Sequence, residues 1–553
     1  MNKKKALAFT SLLLVTAIST TSCIFDGFLD IFRSSASAST LDEDGNAIYK
    51  HVTGKTGYSS DYLNKDNIGL GVGYHYLPSI GDRKILVIPI EFSDDSFTNI
   101  EMQRLEYSFF GDSNQTGWES VASYYSKASY GKLSLTGEVS PIINLGMTKA
   151  VFKAKCAEDS YYTDAVMAQA LKTLINNGED YADYDTDGDN IIDAVWMVYS
   201  ASYSNSSESS NPFWAFTTWA TDNAIVNTTT NLKCNLYSWA SIDFLLEKNY
   251  SITSYQQALD TTNADSHTFI HETGHMMGLD DYYSYDYGNK SSSGSTNYDT
   301  PVGGPDMMDF NVGGQNAYSK YFLGWIEPTV ITTEYLSTNG NTLNLNALES
   351  ESDDGNQAFI LPIYDGEAEV FNGTPFDEYL IIQYYTPDGL NSSDSYEAYE
   401  NGMKMYTKPG VLVYHVNSRI GKIVPGSKTN YWNGEVYDSL PNKSTDSSWG
   451  RSYLFYYLYS NTRSYCYDEN MSDANSSFYR GRLVSLVSAT GKKISGASTG
   501  FATNKCLYTD NMKFMADSGI YSNFVFDDGT KPAYGFKVNS CSDESCEITF
   551  SAL

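Results

Sequence analysis

The texture of this chain changes near residue 331, and that change limits the folds open to it. Before it, short β-branched runs alternate with amphipathic stretches of helical period. RKILVIPIEF, from Arg83, is a run of buried-strand type, and ordered sequence is expected from about there. In WESVASYYSKASYGKL, Val121, Tyr124, Tyr125 and Ala128 fall at helical spacing and Gly131 stops the turn. LSLTGEV is a strand. TDAVMAQALKTLINNG (163–178) is an amphipathic helix, with Thr163 as its expected cap, Val166, Ala170, Leu171 and Leu174 inside, and Gly178 ending it. IIDAVWMVYSA is a further strand. From about 331 onward NTLNLNAL, EYLIIQYY, GVLVYHV, RLVSLVSA, YGFKV and CEITFSA are strand-like and separated by turn residues, with no helical run of comparable length. The expected class is therefore α+β: an α/β layer over 83–330, then a β-rich, sandwich-like region over 331–553.

The N-terminus is processing sequence rather than fold. MNKKKALAFTSLLLVTAISTTSC has a basic start, an apolar middle broken by Ser and Thr, and small residues before Cys23. Residues 1–23 read as a signal peptide with a lipoprotein-like Cys23 as lipid-attachment site, and 24–82 as a tether and N-terminal segment. The expected location is outside the cytoplasm, on a bacterial cell surface as a lipoprotein or otherwise secreted. Contact with a membrane is expected through that anchor alone. Six cysteines remain, and in an exported chain they permit disulfides without specifying the pairing; Cys541 and Cys546, flanking SDES, are placed to bridge a hairpin. A net charge of −31, from 67 Asp and Glu against 36 Lys and Arg, repels phosphate backbones and argues against nucleic acid as a partner. Oligomeric state is not legible in the sequence.

One segment carries chemistry. HETGHMMGLDD (271–281) places two histidines four residues apart, hence on one face of a helix, where both imidazoles reach one ion at about 2.0–2.1 Å. Glu272 then points to the ion's open side as a proton acceptor. Asp265 or Ser266 caps the helix, Phe269 and Ile270 pack it, and Gly278 lets the chain leave it. The turn carries Asp280 and Asp281 back toward the metal, and spacing favours Asp281 as third ligand. With only six histidines in 553 residues, this arrangement is rarely met by chance.

HETGHMMGLDDYY resembles the zinc signature of the immune inhibitor A family of secreted bacterial metallopeptidases, a metzincin-like group whose third ligand is Asp. PVGGPDMMDFN is similar to that family's Met-turn, with Met308 the methionine beneath the metal and Met307 the alternative; QNAYSKYFLGWIEP resembles the segment that follows. Upstream, ILVIPIEFSD, SVASYYSKASYGKLSLTGEV and DYDTDGDNIIDAVWMVY look like family segments, so the likeness runs from about 83 to 417. The resemblance implies a metzincin-like peptidase domain and a zinc endopeptidase acting on protein or peptide substrates. There His271, His275 and Asp281 hold Zn2+, and Glu272 is the base for a metal-activated water. Two departures stand out: Asp280 replaces a usual Pro, and Phe310 occupies a place where some metzincins have a metal-binding Tyr, leaving Tyr318 as one other source.

DYDTDGDNIID (183–193) alternates carboxylates around Gly188. Asp185, Asp187, Asp189 and Asp193 match a calcium loop, with Asp183 as an extra ligand, although the Glu that ends an EF-hand loop is missing. Ca2+ is thus expected as a structural cofactor. Of the other histidines, His267 reads as a surface or supporting residue and His415 as a satisfied sheet histidine. Two other classes compete with the endopeptidase: a catalytically inactive surface adhesin or binding protein on a peptidase fold, and a zinc hydrolase acting on another bond. Glu272 argues against the first.

Overall fold

The computed structural model describes residues 50–51, 76–203, 211–249, 264–284, 301–309, 313–350, 356–396, 406–424, 431–437, 454–457, 459–462, 477–494, 501–516 and 519–553. Cys23, the rest of the signal-like segment, Phe310 and Cys466 lie outside them. The protein is mixed α/β, with one largely parallel sheet and several further sheets. It divides into two compact units, the first holding 74–126 and 131–278, the second 32–73, 127–130 and 279–553.

In the first unit the parallel sheet is built on β1 (Gly81–Glu91), where Ile85 to Ile90 form a continuously buried run, as expected of a strand covered on both faces. Helices α1 (Asn99–Phe110) and α2 (Val121–Ala128) follow; Val121, Tyr124, Tyr125 and Ala128 are all fully buried and Gly131 adopts φ +77°. Next come β2 (Leu133–Val139), α3 (Tyr162–Asn176), β3 (Val195–Tyr199), β4 (Phe216–Asn227) and β5 (Leu232–Ser241). The order β2–β1–β3–β5 is parallel throughout. Tyr237 of β5 faces Val195 of β3 and Thr218 of antiparallel β4 at once, so β4 occupies the opposite edge of β5. Helix α3 buries Val166, Ala170, Leu171 and Leu174. Its cap differs from expectation: Tyr161 holds the cap position without a side-chain bond, because the Thr163 hydroxyl lies inside the first turn and pairs with Tyr237 at 2.9 Å. The helix that carries the site, α4, spans His267–Met276.

In the second unit α5 (Ala317–Phe322) precedes β6 (Thr342–Asn346), β7 (Ala358–Leu361), β8 (Glu378–Tyr385), β9 (Gly410–Asn417), β10 (Val484–Leu486), β11 (Lys513–Phe514), β12 (Tyr534–Cys541) and β13 (Ser545–Ala552). One antiparallel run orders β10–β9–β8–β7, with Thr329–Val330 added parallel at its edge, and a second orders β6–β13–β12–β11. A single apolar core draws on both: Leu380, Ile382, Val411 and Val413 from the first, Phe536, Val538, Ile548 and Phe550 from the second. Residues two apart on a strand share a face, and these pairs lie on the faces turned to this core; β8 and β9 are buried along their whole length, so their other faces are covered too. Lys50–His51 pairs with Tyr431–Tyr437 in a further sheet of this unit. Among the described residues, no helix is long and apolar enough to cross a membrane.

Candidate metal centre

Helix α4 is held chiefly through its backbone and its packed face. Ser266 occupies the cap position without a side-chain bond; it is Asp265 Oδ1 that accepts the His267 amide at 3.0 Å. The Tyr125 hydroxyl donates to the Ile270 carbonyl at 2.6 Å and the Leu77 amide to the Met276 carbonyl at 2.9 Å. Thr273 donates to the Phe269 carbonyl and accepts from the Trp196 indole of β3. Phe269, Ile270 and Met276 are fully buried, so the opposite side of the helix carries the histidines. The helix then ends where the sequence predicts: Gly278 takes φ +95°, a left-handed conformation that glycine adopts at little cost.

His271, Glu272 and His275 come together, with one potential ligand atom of each within 4.8 Å of the others. The two imidazole rings lie 4.8 Å apart and nearly perpendicular, at 88°. Such a group of side chains could hold a metal ion. Glu272 is buried, and its orientation has a definite cause. Thr217 of β4 donates its hydroxyl to Glu272 Oε2 at 2.9 Å and also lies 3.0 Å from the Glu272 carbonyl. Thr217 faces Ser238 across the β4–β5 pair, and the two hydroxyl oxygens are 2.6 Å apart. A hydroxyl has one proton, so with Thr217 donating to the carboxylate, Ser238 donates to Thr217. The result is a two-hydroxyl chain from the sheet to the carboxylate. Nothing in FTTWA or LYSWAS marks Thr217 or Ser238 beforehand; their role is visible only in the register that sets them opposite each other.

Asp280, Asp281 and the Met-turn segment belong to the second unit. Asp280 is occupied, accepting from the Ser460 hydroxyl at 2.7 Å and from the Asp281 amide at 3.1 Å. Asp281 is buried, and the next residue, Tyr282, donates its amide to the Met308 carbonyl at 2.8 Å. The segment after Gly278 and the segment around Met308 are thereby joined. Met307 and Met308 are both fully buried. The turn is knit by two aspartates to which the motif alone assigns no role: Asp306 accepts the amides of Met308 and Asn316, and Asp309 accepts that of Gly304. Burial drives the Asp309 carboxyl well above the usual carboxylate range; the Gly304 bond opposes this, and the charges of Asp306 and Asp281 reinforce it. Tyr318 is buried on α5, its ring 6.4 Å from that of Tyr282.

In the acidic loop, Asp185, Asp187 and Asp193 bring carboxylate oxygens within 4.8 Å of one another. Gly188 and Asn190 take left-handed conformations (φ +82° and +67°), which curl the loop. Asp185 accepts the amides of Gly188, Asp189 and Asn190, and Asp193 is fully buried beneath. Asp189 is not one of the trio; its Oδ1 accepts the Ile191 amide at 2.7 Å. Asp183 is exposed and pairs with Lys84 at 3.4 Å instead of joining the loop. Neither models of known protein families nor curated protein sequences match this chain.

Proposed function

We propose that this chain is an exported zinc-dependent endopeptidase of metzincin-like fold, as its resemblance to immune inhibitor A implies. The observation that carries the reading is the convergence of His271, Glu272 and His275 on one helix, with Glu272 oriented by Thr217. In this reading His271 and His275 supply two zinc ligands. Asp281, ten residues after His271, would supply the third, and Met308 would be the methionine of the Met-turn, as the resemblance implies. Zinc supplies a Lewis acid that polarises the scissile carbonyl and acidifies water. Glu272 takes up a proton from the attacking water and delivers it to the leaving amine, the two halves of general base and general acid work. The Thr217 hydroxyl fixes which carboxylate oxygen is free to turn toward that proton. In the acidic loop Asp185, Asp187 and Asp193, with Asp189 as a further oxygen donor, hold calcium and brace the strand that follows. Export and a lipid anchor at Cys23 belong to the same proposal and rest on the N-terminal sequence.

Zinc content and casein cleavage, measured together on the purified protein and on Glu272→Ala, test it. About one zinc in each, with cleavage by the parent alone, is the expected result. Zinc in both with cleavage by neither would leave the binding-protein reading standing, and absence of zinc from both would remove the metal centre.

A further inference from the structure

The hairpin of β12 and β13 is closed by Ser542, Asp543, Glu544 and Ser545, and it sets Cys541 directly opposite Cys546. Their sulfur atoms are 3.2 Å apart. The Ser542 amide donates to the Ser545 carbonyl at 2.9 Å just outside this pair. The alternation of an antiparallel ladder therefore makes Cys541 and Cys546 a non-hydrogen-bonded pair, where facing Cα atoms approach to about 4.5 Å. The Cys541 amide is consistent with this: it turns sideways to Asp510 Oδ1 at 2.8 Å. A Cα separation of that size lies within the roughly 4.4–6.8 Å that a disulfide spans. The hairpin tip is held in place by the Tyr384 hydroxyl, which donates to the Ser542 carbonyl.

We propose that Cys541 and Cys546 are oxidised to a disulfide in the mature protein, and that this bond fixes strand β13. The two thiols are unequal in a way that gives the reaction an order. Cys546 is buried and Cys541 half-buried, and the hydrogen bond between their sulfurs holds the Cys541 thiol below its ordinary range. Cys541 is thus the attacking thiolate. It attacks one sulfur of the disulfide of an oxidised protein or small-molecule dithiol, expelling the other as a thiol and forming a mixed disulfide. Cys546, giving up its proton, then attacks the Cys541 sulfur and expels the partner's remaining sulfur as its second thiol. Two thiol protons and two electrons leave the hairpin, and the partner is reduced to its dithiol. No other cysteine is needed: Cys506 sits in its own turn, where its sulfur accepts the Thr503 amide.

The consequence is local. β13 pairs with β6 on one side and β12 on the other. A covalent link at the start of β13 keeps it in register with β12 and against the core that includes Ile548 and Phe550. The inference stands apart from the peptidase reading, because its test uses no activity. The full-length protein, equilibrated with oxidised glutathione, is denatured without reductant, alkylated, and mapped by mass. The expected product is a cross-linked Cys541–Cys546 peptide two hydrogens lighter than the dithiol, with Cys234 and Cys506 alkylated. Alkylation of both Cys541 and Cys546 in that step would overturn the proposal. Amide exchange in β13 gives the second readout. Exchange several-fold faster in Cys541→Ser/Cys546→Ser than in the oxidised parent, with the gap closed by reductant, supports the bracing role; equal exchange would overturn it.

Discussion

Two clusters in this molecule have nearly the same ingredients and opposite surroundings. His271, Glu272 and His275 form one; Glu378, His415 and Asp527, in the second unit, form the other, and in each the potential ligand atoms lie within 4.8 Å. The first is carried on successive turns of a single helix, and its carboxylate is oriented by a neutral hydroxyl. The second is carried on strands β8 and β9 and a loop, and arginines close it. Glu378 accepts from His415 Nε2 at 2.9 Å, from the Asp527 amide at 2.6 Å and from the Arg419 guanidinium. Asp527 accepts from Asn417 at 2.8 Å and from the Gly481 amide, and Arg480 lies 3.7 Å away. Where guanidinium groups already neutralise the carboxylates, a metal ion would have to displace them from a fully buried site. The lesson is that a His and carboxylate count does not define a metal centre; what balances the carboxylate charge does.

The largest expected effect separates the two clusters by chemistry. Glu272→Gln should lower kcat by a factor of about 10²–10⁴ while leaving zinc content and the unfolding midpoint in place. If cleavage persists within tenfold of the parent, Glu272 is not the proton carrier. Arg419→Met should do the reverse: it strips a buried carboxylate of its counter-charge and is expected to cost about 3–5 kcal/mol of unfolding free energy. Denaturant unfolding with and without a chelator checks this. An equal cost in both conditions supports an ion cluster, whereas a parent that loses stability on chelation while the variant does not would mark Glu378, His415 and Asp527 as metal ligands.

The contrast also explains what the sequence could and could not convey. The helix of the first cluster was legible because its signals are local: a histidine spacing of four, apolar Phe269 and Ile270, and Gly278 at the exit. His415 was legible only as a satisfied sheet residue, since its partners Glu378 and Asp527 come from distant parts of the chain. The β-rich texture after 331 anticipated strands such as EYLIIQYY and GVLVYHV and a sandwich-like arrangement, yet not which strands pair in which sheet. Thr163 looked like a cap from local sequence, and a tertiary bond to Tyr237 took its hydroxyl instead. Thr217 and Ser238 carried no local signal, because their meaning depends on strand register. Asp189 matched the loop by spacing, but the backbone bond that its Oδ1 accepts from Ile191 was not legible there.

A smaller effect tests the hydroxyl chain. Thr217→Val keeps the shape and removes the donor, leaving the base without its fixed partner. A fall of roughly tenfold in kcat is expected, about 1.4 kcal/mol in the barrier, with little change in KM or in zinc content. Thr217→Ser should restore most of it. A variant whose KM rises while kcat holds would show that Thr217 shapes substrate binding instead of orienting Glu272.

The smallest expected effect is a pH dependence in the second cluster, and its sign follows from the surroundings of His415. Burial by itself pushes the imidazole pKa down. The hydrogen bond to Glu378 and the negative fields of Asp527 and Glu378 outweigh it, against opposition from Arg480, so the net displacement is upward. Burial likewise pushes the Glu378 carboxyl up, against the pull of Arg419 and of His415. Both shifts mean that the folded cluster holds protons that the unfolded chain releases. The His415 contribution should therefore be fully present below the ordinary imidazole value of about 6.5 and decline as pH rises through its higher folded-state value, whereas the Glu378 contribution starts to fall already above the ordinary carboxylate range. His415→Gln keeps a donor toward Glu378 but cannot titrate, so the decline above about pH 6.5 should flatten in that variant. Unfolding midpoints measured across that range for both proteins decide the matter. Parallel curves would mean that His415 sits neutral between its two carboxylates, and that the arginines alone balance them.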